Sequence, residues 1–327
     1  MAPIGLIRGI PDRITLTECF ARDGIQSIDR VLTTDEKLAI LRRIIAAGFD
    51  RIEATSFVPE KIIPQFFDAE TVLERLREET DAELIAFVPN AKGMQRAAVA
   101  AQYGAGPDAA LIVVSASEAH NRKNLRRSTQ ETIQEHRRAA EIAQRSGIRI
   151  IGSISTSFGC PYTGDVPVER VLDLVRHYRL IGATEIQFGD TTGMANPFQV
   201  RHFFSRVLPE LDGLMPVAHF HDTRGAAIAN SLAALDMGVR IVDTSLGGLG
   251  GRPPEQRIQV SGPTGNTSSE DFAALVDEMG IETGLDIDLL IEAGRALVDL
   301  LADPLHSHIV HAGRVRHSPE ATSVAAG

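Results

Sequence analysis

Tryptophan is absent from the 327-residue sequence, and cysteine is nearly so, with Cys19 and Cys160 as the two thiols. Two cysteines cannot build a disulfide framework, and neither stands in a CxxC-type ligand spacing, so a disulfide-stapled secreted scaffold and a thiolate zinc site are both excluded. A reducing cytoplasm is the compartment that fits. Positive charge is also short: 33 Lys and Arg face 43 Asp and Glu, a formal net charge of -10. Phosphate backbones need a positive field, so no nucleic-acid partner is expected, and an anionic ligand must meet a local basic cluster. No run is long and uncharged enough to span a bilayer, and the apolar patch of MAPIGLIRGIPDR is broken by Arg8, too short for a signal-peptide core, so no membrane partner is expected. Internal repeats, low-complexity tracts and Pro/Ser-rich linkers are lacking as well, which leaves no marked domain boundary.

What is present is an alternation. Short β-branched runs, ITLTECF, RIEATSF, ELIAFVP, ALIVVSAS, RIIGSISTSF, EIQFGDTT, VAHFHDT and IVDTSLGG, are separated by segments with apolar residues at helical spacing. The spacing predicts helices over Asp35 to Ala47, with Thr34 as N-cap and Gly48 as stop, and over Thr129 to Arg145, Pro167 to Ile181, Asn196 to Val207 and Ala226 to Met237. Strand-then-helix units require parallel strands, and eight of them close into a (β/α)8 TIM barrel, an α/β fold. The rival, a doubly wound open sheet, would carry a glycine-rich phosphate loop after its first strand, and ARDGIQ is no GxGxxG. Helices over Ser269 to Met279 and Asp288 to Leu301 follow. The expectation is a single domain over 1–327, with the barrel over about 13–282, a C-terminal helical cap over about 283–313 and a disordered tail from Ser318.

In such a barrel the active site lies at the C-terminal ends of the strands, and those ends are rich in polar residues: Glu18, Arg22 and Asp23, then Glu53, Thr55 and Ser56, then Gln187, Asp190 and Thr191, then His219, His221 and Asp222. Residues two apart on a strand face the same way, so His219 and His221 project together. HxH alone suits two satisfied interior side chains as well as two ligands. Asp23 on a facing strand end tips the balance, because two imidazoles and a carboxylate suit a divalent ion with open positions. The oxygen-rich, thiol-free set points to Mg²⁺ or Mn²⁺. Arg22 is read either as an ion-pair partner of Asp23 or as the cation that holds a developing enolate. Asp190 and Glu53 could each position a hydroxyl, although a rim carboxylate is often a cap. GGLGG, Gly247 to Gly251, reads as a mobile lid or a long turn, and Asn266 beyond it could return as a neutral oxygen ligand. The basic run HNRKNLRR, His120 to Arg127, is a candidate for coenzyme phosphates through Asn121, Lys123 and Asn124, or a solvated helix start.

Taken in order, TECFARDGIQ, IEATSFVPEKIIPQ, SASEAHNRKN, FGCPYTGDV, FGDTTGMANP, HFHDTRGAAIAN, SLGGLGG and GNTSSEDF resemble the 3-hydroxy-3-methylglutaryl-CoA lyase family of the DRE-TIM metallolyases. Gln26 separates the chain from related synthases, whose RDGEQ has glutamate there. The resemblance implies a TIM barrel that cleaves a hydroxyacyl-CoA into an acyl-CoA such as acetyl-CoA and a keto acid such as acetoacetate, as a homo-oligomer, a dimer. It implies Asp23, His219, His221 and Asn266 as metal ligands, Arg22 as the enolate-holding cation, and Glu53 and Asp190, with His219, as hydroxyl- or proton-handling groups. One departure stands out. Where the family's glycine loop has a proton-transfer cysteine, this loop has Arg252, and it is longer, GGLGGRPPEQRIQVSGPTGN. Arginine stays charged and cannot shuttle protons. The runner-up readings are therefore an aldolase or condensing enzyme acting on another hydroxy acid, and a catalytically silent relative.

Overall fold

A computed structural model describes residues 10–251 and 265–315. Its centre is a closed barrel of eight parallel strands: β1 (Thr15–Glu18), β2 (Arg51–Ser56), β3 (Glu83–Phe87), β4 (Ala109–Ser115), β5 (Arg149–Ser155), β6 (Glu185–Asp190), β7 (Met215–Phe220) and β8 (Ile241–Thr244). The ring closes where β1 pairs with β8, Thr15 opposite Ile241 through Glu18 opposite Thr244. Between strands lie α1 (Thr34–Ala46), α2 (Ala69–Arg77), α3 (Ala91–Gln102), α4 (Glu118–Leu125), α5 (Thr129–Arg145), α6 (Val168–Leu180), α7 (Pro197–Val207) and α8 (Ala227–Asp236), followed by α9 (Ser269–Glu278), α10 (Ile287–Leu301) and α11 (Ile309–Ala312). The α2 and α3 helices were not read from the sequence, and the basic run His120 to Arg127, read as a coenzyme-phosphate candidate or a solvated helix start, forms most of α4. None of the helices is long and apolar enough to cross a membrane among the described residues.

Local signals set the element ends. Thr33, not Thr34, caps α1: its side chain accepts from Glu36 N while Glu36 accepts from the Thr33 backbone, a capping box that contributes about 1 kcal/mol. Of the two threonines, Thr33 is the one followed three residues later by glutamate; Lys37 follows Thr34. Gly48 ends α1 at φ +100, where a Cβ would lie 2.7 Å from the Gly284 carbonyl oxygen, so the expected stop holds for both conformational and steric reasons.

Alternation along each strand divides the apolar material in two. Outward residues such as Leu84, Ala110, Ile150, Ile186, Ala218 and Val242 meet the helices in the main core. Inward residues Ile85, Ala109, Leu111 and Ile151 form a separate small cluster inside the barrel. Below that plug, at the strands' N-terminal ends, Arg51, Glu83, Arg149 and Glu185 make a ring of ion pairs: Arg51 to Glu83 at 2.6 Å, Arg149 to Glu185 at 3.1 Å, and the remaining two sides through Arg51–Glu185 and Arg149–Glu83. The plug and ring seal one end, so the interior is open for chemistry only at the other.

Candidate active site

Above the plug, four strand ends bring the expected residues together. Arg22, just past β1, donates from Nη1 to Asp23 Oδ1 at 2.6 Å and from Nε to Glu53 Oε2 on β2. Both carboxylates and the guanidinium are buried, and the Arg22 guanidinium carbon lies 5.7 Å from the Phe87 ring centroid. On β7, alternation turns His219 and His221 inward, with His219 Nε2 3.2 Å from His221 Nε2. Asp23 Oδ2 is 3.9 Å from His221 Nε2. Nitrogen and oxygen atoms of Asp23, His219 and His221 thus lie within 4.8 Å of one another.

Asn266 reaches the same cluster although the loop before it is long. The chain re-enters by bridging to β7's end, His221 opposite Asn266, with Asp222 N donating to Gly265 O and Thr267 N to Phe220 O. Asn266 Nδ2 donates to Asp23 Oδ2 at 2.8 Å and to Leu249 O at 3.0 Å, while its Oδ1 is buried with no hydrogen-bond partner among the described residues. A buried carbonyl oxygen without a donor is costly unless something electropositive meets it. Gly250 permits this approach, because a Cβ there would lie 2.1 Å from Asn266 Nδ2.

The electrostatics point the same way. Burial works to raise the Asp23 pKa, but Arg22, His221 and His219 together hold it well below the ordinary carboxylate range. Burial works to lower His219, yet its bond to Asp243, Nδ1 to Oδ2 at 3.2 Å, leaves it raised. In the buried mouth Arg22 pairs with Asp23 and Glu53, while Asp243 meets the His219 ring, so among the described groups there one guanidinium stands among three carboxylates. Such a surplus of buried negative charge calls for a further cation. Two imidazoles, a carboxylate and an orphaned amide oxygen fit a divalent metal, and Asp243 fixes the His219 ring from behind as ligating imidazoles require.

Other expected residues take supporting places. Asp190 is buried and accepts from Met194 N at 2.8 Å and Ala195 N at 3.0 Å, the capping role of a rim carboxylate; burial nonetheless pushes its pKa up to about 6. Asn121 is fully buried, accepting from Ser115 N and donating to Arg127 O and Thr132 Oγ1, each at 2.9 Å. These bonds engage both ends of its amide within the fold and tie α4 to α5. Lys123 and Asn124 are exposed on α4, and Lys123 Nζ lies 5.4 Å from the Tyr162 ring centroid. Arg252 and the tail from Ser318 lie outside the described residues.

Sequence reasoning missed the loop's anchors. Glu18 accepts from Leu246 N at 2.8 Å, and Glu270 accepts from Gly247 N at 2.9 Å and 3.0 Å, so two carboxylates pin the root of the glycine loop. Burial pushes Glu18 up to about 7 and Glu270 up to about 8. Asp243 was missed too, though its two-residue offset from Ile241 on β8 places it inward.

A family model described as HMGL-like matches residues 13–297. The hydroxymethylglutaryl-CoA lyase of Bacillus subtilis (strain 168) is 35% identical over 297 residues, 91% of this chain and 96% of the relative. The mitochondrial hydroxymethylglutaryl-CoA lyase of Homo sapiens is 34% identical over 303 residues, 93% of this chain and 90% of the relative. The structure of an HMG-CoA lyase from Acinetobacter baumannii with coenzyme A and 3-methylmalate superposes with a TM-score of 0.85 at 35% identity, covering 94% of this chain and 98% of that one.

Proposed function

This chain belongs to the HMGL-like family, and from that premise we propose that it cleaves 3-hydroxy-3-methylglutaryl-CoA into acetyl-CoA and acetoacetate, as a carbon–carbon lyase that depends on a divalent metal. The observation that carries this reading is the mouth's charge imbalance: ligand-type side chains with an orphaned amide oxygen stand beside one guanidinium and several carboxylates. Asp23, His219, His221 and Asn266 are the residues we assign to the metal, with Mg²⁺ or Mn²⁺ favoured by the hard donor set. When bound, the metal would supply positive charge at the substrate's hydroxyl oxygen.

The chain's own groups account for the remaining work. Glu53, held by Arg22 on one oxygen and by Gln187 on the other, takes the hydroxyl proton in this reading. The carbon–carbon bond then breaks, its electron pair passing into the enolate of acetyl-CoA while acetoacetate forms. Arg22, aimed by Glu53 and Asp23, holds the enolate oxygen before the methyl carbon is protonated. Asp190 shapes the loop from Thr191 to Asn196 by capping it. Lys123 and Asn124 on α4 are proposed to meet the coenzyme's phosphates. Two unpaired buried thiols suit the reducing cytoplasm in which we place the enzyme, as a homodimer.

Arg252 favours a second reading within the same chemistry. A fixed cation in place of the family's cysteine suits a substrate with another carboxylate or a longer branch, and it leaves protonation of the enolate to another group or to water. Product analysis with 3-hydroxy-3-alkylglutaryl-CoA thioesters and free hydroxy acids, each with Mn²⁺, tests both. Release of acetyl-CoA and acetoacetate from the methyl compound is expected. No cleavage of any thioester would overturn the lyase reading, and preference for another branch would move the choice to the second substrate class.

A further inference from the structure

Between the apolar plug and the mouth, one uncharged side chain touches both halves of the site. Gln187, buried on β6, accepts from Ser153 Oγ at 2.5 Å through Oε1. Its Nε2 donates to Asp243 Oδ2 at 2.5 Å and to Glu53 Oε1 at 3.3 Å. The orientation of the amide is dictated chemically, since carboxylates only accept and must therefore face the NH₂. Asp243 in turn holds His219 Nδ1, and Glu53 holds Arg22 Nε. Two carboxylates that would repel one another are thus bridged by a single neutral double donor, and each orients a different cationic or ligating group.

We propose that Gln187 is a positioning residue that fixes the metal-ligand half of the mouth, through Asp243 and His219, in register with the enolate-holding half, through Glu53 and Arg22. Ser153 completes the device by occupying the amide oxygen, so that the amide has one orientation. Without the bridge, Asp243 and Glu53 relax away from each other, and both His219 and Arg22 lose the partners that aim them. The enolate half of this inference rests on the cleavage reading above; the ligand half does not.

The test measures the two halves separately in Gln187→Met, which keeps the side chain's length and removes its donors. Mn²⁺ binding to the substrate-free protein, followed by electron paramagnetic resonance, reports the ligand half. Exchange of the acetyl-CoA methyl hydrogens with deuterated solvent reports the enolate half. Outer-shell partners of this kind influence affinity or activity about ten- to hundredfold, so a loss of at least about tenfold is expected in both, with a fall in kcat and little change in KM. Ser153→Ala, a small truncation that removes only the bond to Gln187, is expected to move both quantities in the same direction by less, and it carries the test if Gln187→Met does not fold. Unchanged Mn²⁺ affinity and exchange in these variants would overturn the proposal, as would a loss confined to one half, since the claim is that both depend on one amide. If no thioester is cleaved but Gln187→Met still loses Mn²⁺, the fault lies with the substrate assignment and not with the bridge.

Discussion

Two arginine–carboxylate clusters share the interior of this barrel, separated by the plug of Ile85, Ala109, Leu111 and Ile151, and their charge balances differ. At the floor, Arg51 and Arg149 alternate with Glu83 and Glu185, so each charge has opposite charges on both sides. At the mouth, Arg22 is shared by Asp23 and Glu53, while Asp243 meets the His219 imidazole and the Gln187 amide rather than a guanidinium. A balanced buried ring is self-sufficient, and disturbing it costs stability. An unbalanced one holds a place for a charge that comes from outside, and disturbing it should cost function. Similar residue types inside the same cylinder therefore do opposite work, distinguished by their sum.

The largest expected effect breaks the comparison at the mouth. Asp23→Asn removes a ligand and one surplus negative charge, so turnover should fall on the order of 10³-fold or more, with Mn²⁺ binding lost. Thermal stability of the metal-free protein should also fall, by less, because the folded state favours the Asp23 carboxylate beside Arg22 and the imidazoles. A fall in melting temperature with metal affinity intact would show that Asp23 is a structural partner of Arg22. The floor should respond in the inverse sense: Arg51→Met leaves Glu185 and Glu83 short of a partner and should destabilise by about 3–5 kcal/mol in urea unfolding. The folded fraction should keep its kcat and its Mn²⁺ affinity, and a specific loss of either would mean that the plug does not insulate the two clusters.

How far the sequence carried this contrast depends on how local each signal was. His219, His221 and Asp23 were legible because strand alternation fixes which way a side chain points before any tertiary contact is known. The floor left a signal that was not used: RIEATS, ELIAF, RIIGSIS and EIQFGD each begin with an arginine or glutamate, at the end of a strand where a barrel carries no chemistry. Pairing those four heads requires the barrel's closure, which no local pattern states. Asn121 was grouped with Lys123 and Asn124 because it stands in the same basic run, whereas its α4 position turns it inward against Ser115 and Thr132. Asp243 escaped notice, and Gln187 was noted only as a polar residue at a strand end, because their importance comes from what lies across the barrel rather than beside them in sequence.

A subtler substitution sharpens the comparison by keeping the charge. Arg22→Lys preserves the mouth's sum but not the fork that meets Glu53 and Asp23 together, so kcat should fall about 10²-fold while Mn²⁺ affinity changes little. Full turnover in this variant would mean that charge alone, and not its aim, serves the enolate.

The smallest effect concerns the root of the glycine loop, where the mouth's rim depends on carboxylates that burial keeps protonated. Glu18 and Glu270 have folded pKa values of about 7 and about 8, above the ordinary 4.5. Protons are therefore bound more tightly in the folded than in the unfolded chain, and the stability this gives is fully present below about 4.5 and lost as pH rises through 7 and 8. Melting temperature should decline by a few degrees between neutral and mildly alkaline pH. Glu270→Gln keeps an oxygen for Gly247 N and removes the titrating group, so it should flatten that decline. An equally steep decline in the variant would place the alkaline loss elsewhere and leave the loop's root independent of the proton on Glu270.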